Sequence, residues 1–299
     1  MVKALVKIKN RWNWIKSYPI DFYYWITWNI PKVVGIEETI QQIISKNASI
    51  SRFGDGEIDI MMGKSIPFQK FDSSLSLKMK EILKSDDENF LVGIPDIFNG
   101  LSSYNENAKK YFKSQLRNNR KNWAKLLKKG KKYYCAEITR PYMDLADKSH
   151  SESYFKELTK IWEDKKVIIV EGDKSRLGVG NDLFCGCREI KRVLCPATNA
   201  FSYYKEIIEA IENYDKEYLL LLALGPTATV LAYDFYRLGY RALDIGHIDI
   251  EYEWYKMGAL NKVPVKNKYT NEAEFLGGLE VGEIDDQTYL SQICCKIGC

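Results

Sequence analysis

Residues 218–245 read YLLLLALGPTATVLAYDFYRLGYRALDI. Tyr218 to Leu224 is the most apolar run in the chain, as expected of an innermost strand buried on both faces. Gly225, Pro226 and Thr227 follow, with Pro226 suited to the first position of a helix. The helix predicted from Thr227 to Leu238 closes at Gly239, and Arg241 to Ile245 supplies another strand. Two strands joined by one helix are a parallel unit. A helix that starts at a strand's C-terminal end is an anion site, to which Thr227 adds a hydroxyl.

Outward from this unit, the same alternation continues. Val167 to Val170 (VIIV) is a β-branched run typical of a central parallel strand, and it enters EGDKSRLGVGND, residues 171–182. Further strands are expected at Phe90 to Ile94, Lys132 to Ala136 and Arg192 to Cys195. The last ends in Pro196 to Asn199, at the start of a helix. Helices are expected at Glu37 to Lys46, Ser74 to Lys84, Asn107 to Lys129, Glu152 to Trp162 and, terminally, Tyr289 to Ile297. The pattern is that of an α/β protein with a mostly parallel sheet flanked by helices.

Composition narrows the class. With 299 residues, 45% hydrophobic and 28% charged, the chain is an ordinary globular protein with core enough to need no staples. It has no apolar run long enough for a transmembrane helix and no secretory pattern at its start. Seven scattered cysteines suggest reduced thiols in a cytoplasmic protein, and Cys185-x-Cys187 lacks the spacing of a zinc site. The formal charge of +4 is uneven: residues 1–34 hold six basic residues against Asp21 alone, leaving 38 basic and 39 acidic elsewhere. Nucleic-acid binding is therefore not demanded.

Three segments carry candidate chemistry. In SRFGDGE, residues 51–57, Gly54 and Gly56 let the backbone approach a ligand, and Asp55 and Glu57 can meet one hard cation such as Mg²⁺ or Mn²⁺. Arg52 offers a planar fork for phosphate or carboxylate. The 171–182 loop, with Ser175, Arg176, Gly178 and Gly180, stands where open α/β sheets bind ligands, and its N–H groups and Arg176 suit a diphosphate. It matches neither the dinucleotide fingerprint nor a P-loop. In GHIDIEYEW, residues 246–254, His247, Asp249, Glu251 and Glu253 alternate with apolar residues, so an extended chain puts all four on one face.

Together these segments resemble the bacterial glycosyltransferases of the GT-D fold, first catalogued as a domain of unknown function and found in surface-glycan and adhesin glycosylation. The resemblance lies in RFGDGE (52–57), VEGDKSRLGVGNDLF (170–184), LCPATNAF (194–201) and LLALGPTATVLAYDFYRLGYRALDIGHIDIEYEWY (220–255), and covers roughly residues 36–295. It implies a Rossmann-like domain at 35–299 that transfers a sugar, glucose or a related hexose, from a nucleotide sugar. The donor is expected to be a UDP-sugar, with a divalent metal assisting and a lipid-linked or protein-linked glycan as acceptor. The metal contacts fall on Asp55 and Glu57, and the donor contacts on Ser175, Arg176 and Asn181. The acidic segment falls on Asp249, Glu251 and Glu253. With Arg52, Gly54, Gly178, Gly180, Asn199 and Thr227, these complete the expected donor cradle.

The chemistry is consistent with the residues. Cleaving the bond to a diphosphate needs its charge neutralised, by a metal and Arg176, and the acceptor hydroxyl needs a base. Glu253 is the first candidate for that base, then Glu251 or His247. A phosphohydrolase or nucleotidyltransferase using the same acids, or a non-catalytic subunit that binds nucleotide sugars, are the competing readings. Residues 1–34 form a basic aromatic arm holding four of the seven tryptophans, including Trp12, Trp14, Trp25 and Trp28. Such a segment suits either the interface of a membrane at the cytoplasmic face or packing against the domain or a second subunit. The eleven Lys and Arg between Glu106 and Glu137, with no acid among them, add a basic amphipathic helix.

Overall fold

The computed structural model describes residues 19–98, 100–270, 272–273 and 281–298. Trp12 and Trp14 lie outside the described residues. The strands are β1 (Lys32–Val33), β2 (Ser49–Arg52), β3 (Phe90–Ile94), β4 (Lys132–Cys135), β5 (Lys166–Gly172), β6 (Glu189–Cys195), β7 (Leu219–Ala223), β8 (Arg241–Asp244) and β9 (Ile293–Lys296). They form one sheet in the order β1-β4-β3-β2-β8-β7-β5-β6-β9. Every pairing is parallel. The expected α/β, Rossmann-like class is what forms.

The strand sequences explain a sheet covered on both faces. In β5, Val167 and Ile169 enter one core cluster while Ile168 and Val170 enter another, and Leu219 to Leu222 of β7 divide the same way. Fully burying one such side chain contributes roughly 1.5–3 kcal/mol. On the first face pack α2 (Ile36–Ser45), α6 (Ser151–Thr159) and α9 (Ile248–Lys256). The other face carries α3 (Asp55–Met61), α4 (Ser73–Ile82), α5 (Glu106–Leu126), α7 (Tyr204–Glu212) and α8 (Pro226–Arg237). Local chemistry starts these helices where predicted. Asp72 caps α4 through the N–H groups of Ser74 and Leu75, Asn105 caps α5 through those of Asn107 and Ala108, and Pro226 opens α8.

Three readings need correction. The terminal helix expected at Tyr289 to Ile297 is α10 (Gln287–Gln292) followed by β9, which adds to the sheet edge at β6. The β-branched and Cys-rich end of that stretch prefers the open ladder edge to another helical turn. The boundary expected after residue 34 is crossed, because β1 pairs with β4. Before it, residues 19–27 are helical, here α1. The segment read as an extended acidic face is α9, with His247 as its N-cap.

Candidate functional site

Because the strands are all parallel, their C-terminal ends open on one edge of the sheet, and a cleft of about 700 Å³ lies there. Seven strand exits line it: Arg52 to Glu57 after β2, Pro95 and Ile97 after β3, Ala136, Glu137 and Arg140 after β4, Gly172 and Ser175 at β5, Pro196 and Ala197 after β6, Leu224 and Gly225 after β7, and Gly246 and His247 after β8. Helix α5 closes one side with Tyr111, Gln115 and Trp123. The chain steps from β5 to β6 in one direction and from β7 to β8 in the other. Open α/β sheets bind ligands at such a switch point.

Helix α3 begins directly at the exit of β2. Glu57 folds back so that Oε2 accepts from the Gly54 N–H at 2.7 Å, capping the helix. Asp55 instead reaches across the cleft, where Oδ2 accepts from the Tyr111 hydroxyl at 2.5 Å and from Gln115 Nε2 at 3.5 Å. Burial raises the Glu57 carboxyl to about 7, with repulsion from Asp244 and Asp55 adding to the effect. Arg52 lines the same wall, but its fork is taken up by the protein. Nη2 meets Asp244 Oδ1 at 2.9 Å, Nε donates to the Asp244 carbonyl at 2.8 Å, and Nη1 donates to that of Ala136 at 3.1 Å. Gly246, at φ +41°, makes room for it: a Cβ there would lie 1.9 Å from Arg52 Nη2.

The cleft is also lined by a mixed-charge cluster that the sequence reading did not single out. Arg140 Nη1 meets Glu272 Oε1 at 2.6 Å, and Lys262 pairs with Glu272 and, at 3.4 Å, with Asp144. Burial opposes ionisation of Glu272, yet Arg140, His247 and Lys262 hold its carboxyl well below the usual range. His247 Nε2 lies 3.5 Å from Glu272 Oε1 and makes no hydrogen bond among the described residues. Its burial brings the imidazole down to about 4, against the pull of Glu272. Burial likewise raises Glu137 to about 7, with Arg140 opposing. Arg140 and Glu137 follow β4 directly, so the strand-exit rule applied to residues 171–182 would also have found them. Lys262 and Glu272 carry no such local signal.

The acidic segment lies differently from its expected strand face. In α9, Asp249 and Glu253 are one turn apart, while Glu251 points elsewhere. Asp249 accepts from Gly178 N–H at 2.8 Å, Asn181 Nδ2 at 2.8 Å and Lys268 Nζ at 2.7 Å. Glu253 accepts from the same Asn181 and Lys268 at 2.7 and 2.9 Å and does not line the cleft. Lys268 is only 2% exposed, so this is a buried knot joining α9 to the glycine loop, and Glu253 is not free to act as a base. Glu251 is wholly buried outside the cleft lining; Oε2 accepts from Met143 N–H at 2.9 Å, and Oε1 has no hydrogen-bond partner among the described residues. Burial raises Glu251 to about 7, with Arg140 and the Met143 N–H opposing. Alternation misled because α9 is buried nearly all round, which removes the contrast between faces. The better signal was a pair of acids in a first helical turn.

The glycine-rich loop contributes Ser175 to the cleft, while its other expected donor contacts turn away from it. Arg176, itself at φ +51°, donates to the carbonyls of Asn267 at 3.0 Å and Gly282 at 2.6 Å, bracing the C-terminal segment. Gly178 and Asn181 serve the knot, and Gly180 is exposed at a turn with φ +78°. Asn199, at φ +55°, accepts from the Lys70 N–H at 2.8 Å and donates its own N–H to Phe68, anchoring the loop beside the cleft. Thr227 is wholly buried against Gln69. None of these six residues lines the cleft. The loop itself is held by a buried pair: Arg192 Nη1 meets Glu171 Oε1 at 2.5 Å, and Glu171 Oε2 accepts from Leu177 N–H at 2.8 Å.

Among the described residues, no group of three or more His, Cys, Asp and Glu is arranged to hold a metal ion. Asp55 and Glu57 supply two hard oxygen donors on one helical turn, the number Mg²⁺ takes from protein when substrate phosphates and water complete its octahedron. The described cysteines are free, and burial raises Cys187 to about 12.

Comparison with known proteins agrees with this architecture. A family model described as glycosyltransferase GT-D fold matches residues 50–273. The chain is 42% identical over 266 residues to a probable glycosyl transferase Gly of Streptococcus gordonii, covering 89% of this chain and 39% of that protein. It is also 42% identical over 270 residues to the glycosyltransferase GlyD of Streptococcus pneumoniae serotype 4, covering 90% of this chain and 33% of the relative. The chain thus spans well under half the length of either. A solved structure described as the domain of unknown function 1792, with a distinct glycosyltransferase fold, superposes with TM-score 0.87 at 43% identity, covering 93% of this chain and all of the other. A structure described as a new glycosyltransferase from Streptococcus sanguinis gives TM-score 0.85 at 43% identity, covering 89% and 99% of the two chains.

Proposed function

The chain belongs to the family of GT-D fold glycosyltransferases, and we propose that it moves a hexose from a UDP-sugar to a glycan acceptor in surface polysaccharide or glycoprotein biosynthesis. The observation that carries this reading is the cleft at seven parallel strand exits, where cations, buried carboxyls and an unpartnered imidazole converge. The donor diphosphate belongs beside Ser175 and Gly225, which line the cleft, Gly225 with its backbone exposed. Arg140 and Lys262, which line the same cleft, are cations that can meet its charge.

Asp55 and Glu57 are the residues that would hold a divalent metal. Bound there, Mg²⁺ or Mn²⁺ would neutralise the charge that develops on the leaving diphosphate. A cation would also favour the ionised form of Glu57, which the protein alone keeps near neutrality.

The base role passes from Glu253 to His247. At neutral pH its imidazole is uncharged and lines the cleft, so a ring nitrogen can accept the acceptor hydroxyl's proton. Glu272, 3.5 Å away, then stabilises the imidazolium that results. The oxygen attacks the anomeric carbon, the bond to the diphosphate breaks, and the configuration inverts.

The test is release of UDP from a panel of UDP-sugars with Mn²⁺, with Mg²⁺ and with EDTA. Donor hydrolysis that disappears with EDTA and in Asp55→Asn is the expected result. UMP and sugar phosphate as products would overturn the transferase reading, and calorimetry showing no UDP binding with metal present would overturn the donor assignment.

A further inference from the structure

Helix α1 turns its apolar side chains outward. Asp21, Tyr24 and Trp28 face the domain, where Asp21 pairs with Arg120 Nε at 2.6 Å and Trp28 meets Phe98 edge-on at 5.3 Å. Ile20, Phe22, Tyr23, Trp25 and Ile26 stand in solvent, Trp25 at 60% and Ile26 at 62% exposure. A surface helix ordinarily does the reverse, and an outward apolar face marks an interaction site.

Helix α5 lies alongside and supplies charge. Its inward stripe is Ala108, Phe112, Leu116 and Trp123, and its single acid is Glu106 in the first turn. Lys110, Lys113, Lys121 and Lys125 are exposed, and helical spacing puts them on the side away from that stripe. Arg120 joins one flank of this basic face to α1, while Tyr111 and Gln115 on the other flank line the cleft. Aromatic face, basic face and cleft mouth therefore follow one another around a single helix.

We propose that α1 and the outer face of α5 together dock the protein on an anionic lipid bilayer, rings at the acyl boundary and lysines among the headgroups, with the cleft mouth held beside the membrane. Charge complementarity selects this occupant. A two-fold contact with a second copy would set the same lysines against each other, whereas a bilayer offers apolar depth and negative charge together. No described helix is long and apolar enough to cross a membrane, so the contact is peripheral. The placement of the cleft toward a lipid-linked acceptor rests on the transferase reading; the docking itself does not.

The experiment is co-sedimentation of the full chain with phosphatidylcholine vesicles, with and without about a third phosphatidylglycerol, at low and high salt. Binding is expected to anionic vesicles only and to weaken with salt. In Lys113→Glu/Lys121→Glu/Lys125→Glu the partition coefficient should fall by roughly a hundredfold or more, and Phe22→Ala/Trp25→Ala/Ile26→Ala should reduce it comparably. Both variants should keep the parent's thermal midpoint and its UDP-sugar affinity by calorimetry, which separates loss of docking from failure of the donor reading. Equal binding to neutral and anionic vesicles, or none to either, would overturn the proposal. So would a dimer in lipid-free sedimentation velocity that the α1 variant dissociates.

Discussion

Asp249 and Glu253 are each bonded to Lys268 and Asn181, whereas Glu137 and Glu251, comparably buried, have no bonded cation among the described residues. The first pair has an ammonium between its carboxylates and ties α9 to the loop after β5. The second pair stands near Arg140, whose guanidinium is turned to Glu272, and burial lifts both carboxyls to about 7. A buried acid with a bonded cation is a strut. One without a cation holds its proton near neutral pH and can exchange it.

His247 sits with the unpaired set and offers the largest effect. His247→Gln should lower steady-state transfer by about 10²–10⁴-fold while leaving the thermal midpoint nearly unchanged. Retained activity would return the base role to a carboxylate. Next comes the strut: Lys268→Met leaves two buried carboxylates without their cation and should cost about 3–5 kcal/mol in urea denaturation. A loss below about 1 kcal/mol would mean that the knot is not structural.

The unpaired set should show itself in pH dependence. A folded-state pKa raised from 4.5 to about 7 means that the native protein binds the proton more tightly than the unfolded chain. The stability from Glu137 and Glu251 is thus fully present below about pH 4.5 and is lost as pH rises through about 7. His247, lowered to about 4, contributes in the opposite sense between about 4 and 6.5. Glu57, raised to about 7 as well, acts in the same sense as Glu137 and Glu251. After the His247 offset, unfolding free energy should fall by on the order of 5 kcal/mol from pH 5 to 8, and Glu137→Gln/Glu251→Gln should remove most of the fall. An unchanged profile in the double variant would erase the contrast between the two sets.

The smallest effect tests the wall they share. Gly246→Ala places a methyl against Arg52 at a positive φ and should cost about 1–3 kcal/mol, read from the thermal midpoint. A neutral outcome would show that Arg52 can leave Asp244 without consequence.

Much of the fold was legible because the strands are two-sided. FLVGI at 90–94 and VIIV at 167–170 have no polar face, so a parallel sheet between helices is their natural place. The strand exits carried the candidate site, which is why Asp55, Ser175 and His247 line the cleft. Alternation failed at 247–254 because a helix buried nearly all round has no polar stripe to reveal its period. Arg176 failed for a different reason: a cation in a glycine loop reads as a phosphate contact until the carbonyls of Asn267 and Gly282 are seen to occupy it.

The sequence by itself determined the alternation of elements, their parallel sheet and the edge on which ligands are met, since all three follow from local apolar patterning and from where helices start. Only the tertiary structure decided which acids have a bonded cation and which do not. That distinction depends on partners far along the chain, such as Lys268 beneath Asp249 and Glu272 beside His247, and on how much water each carboxyl loses when the sheet closes over it.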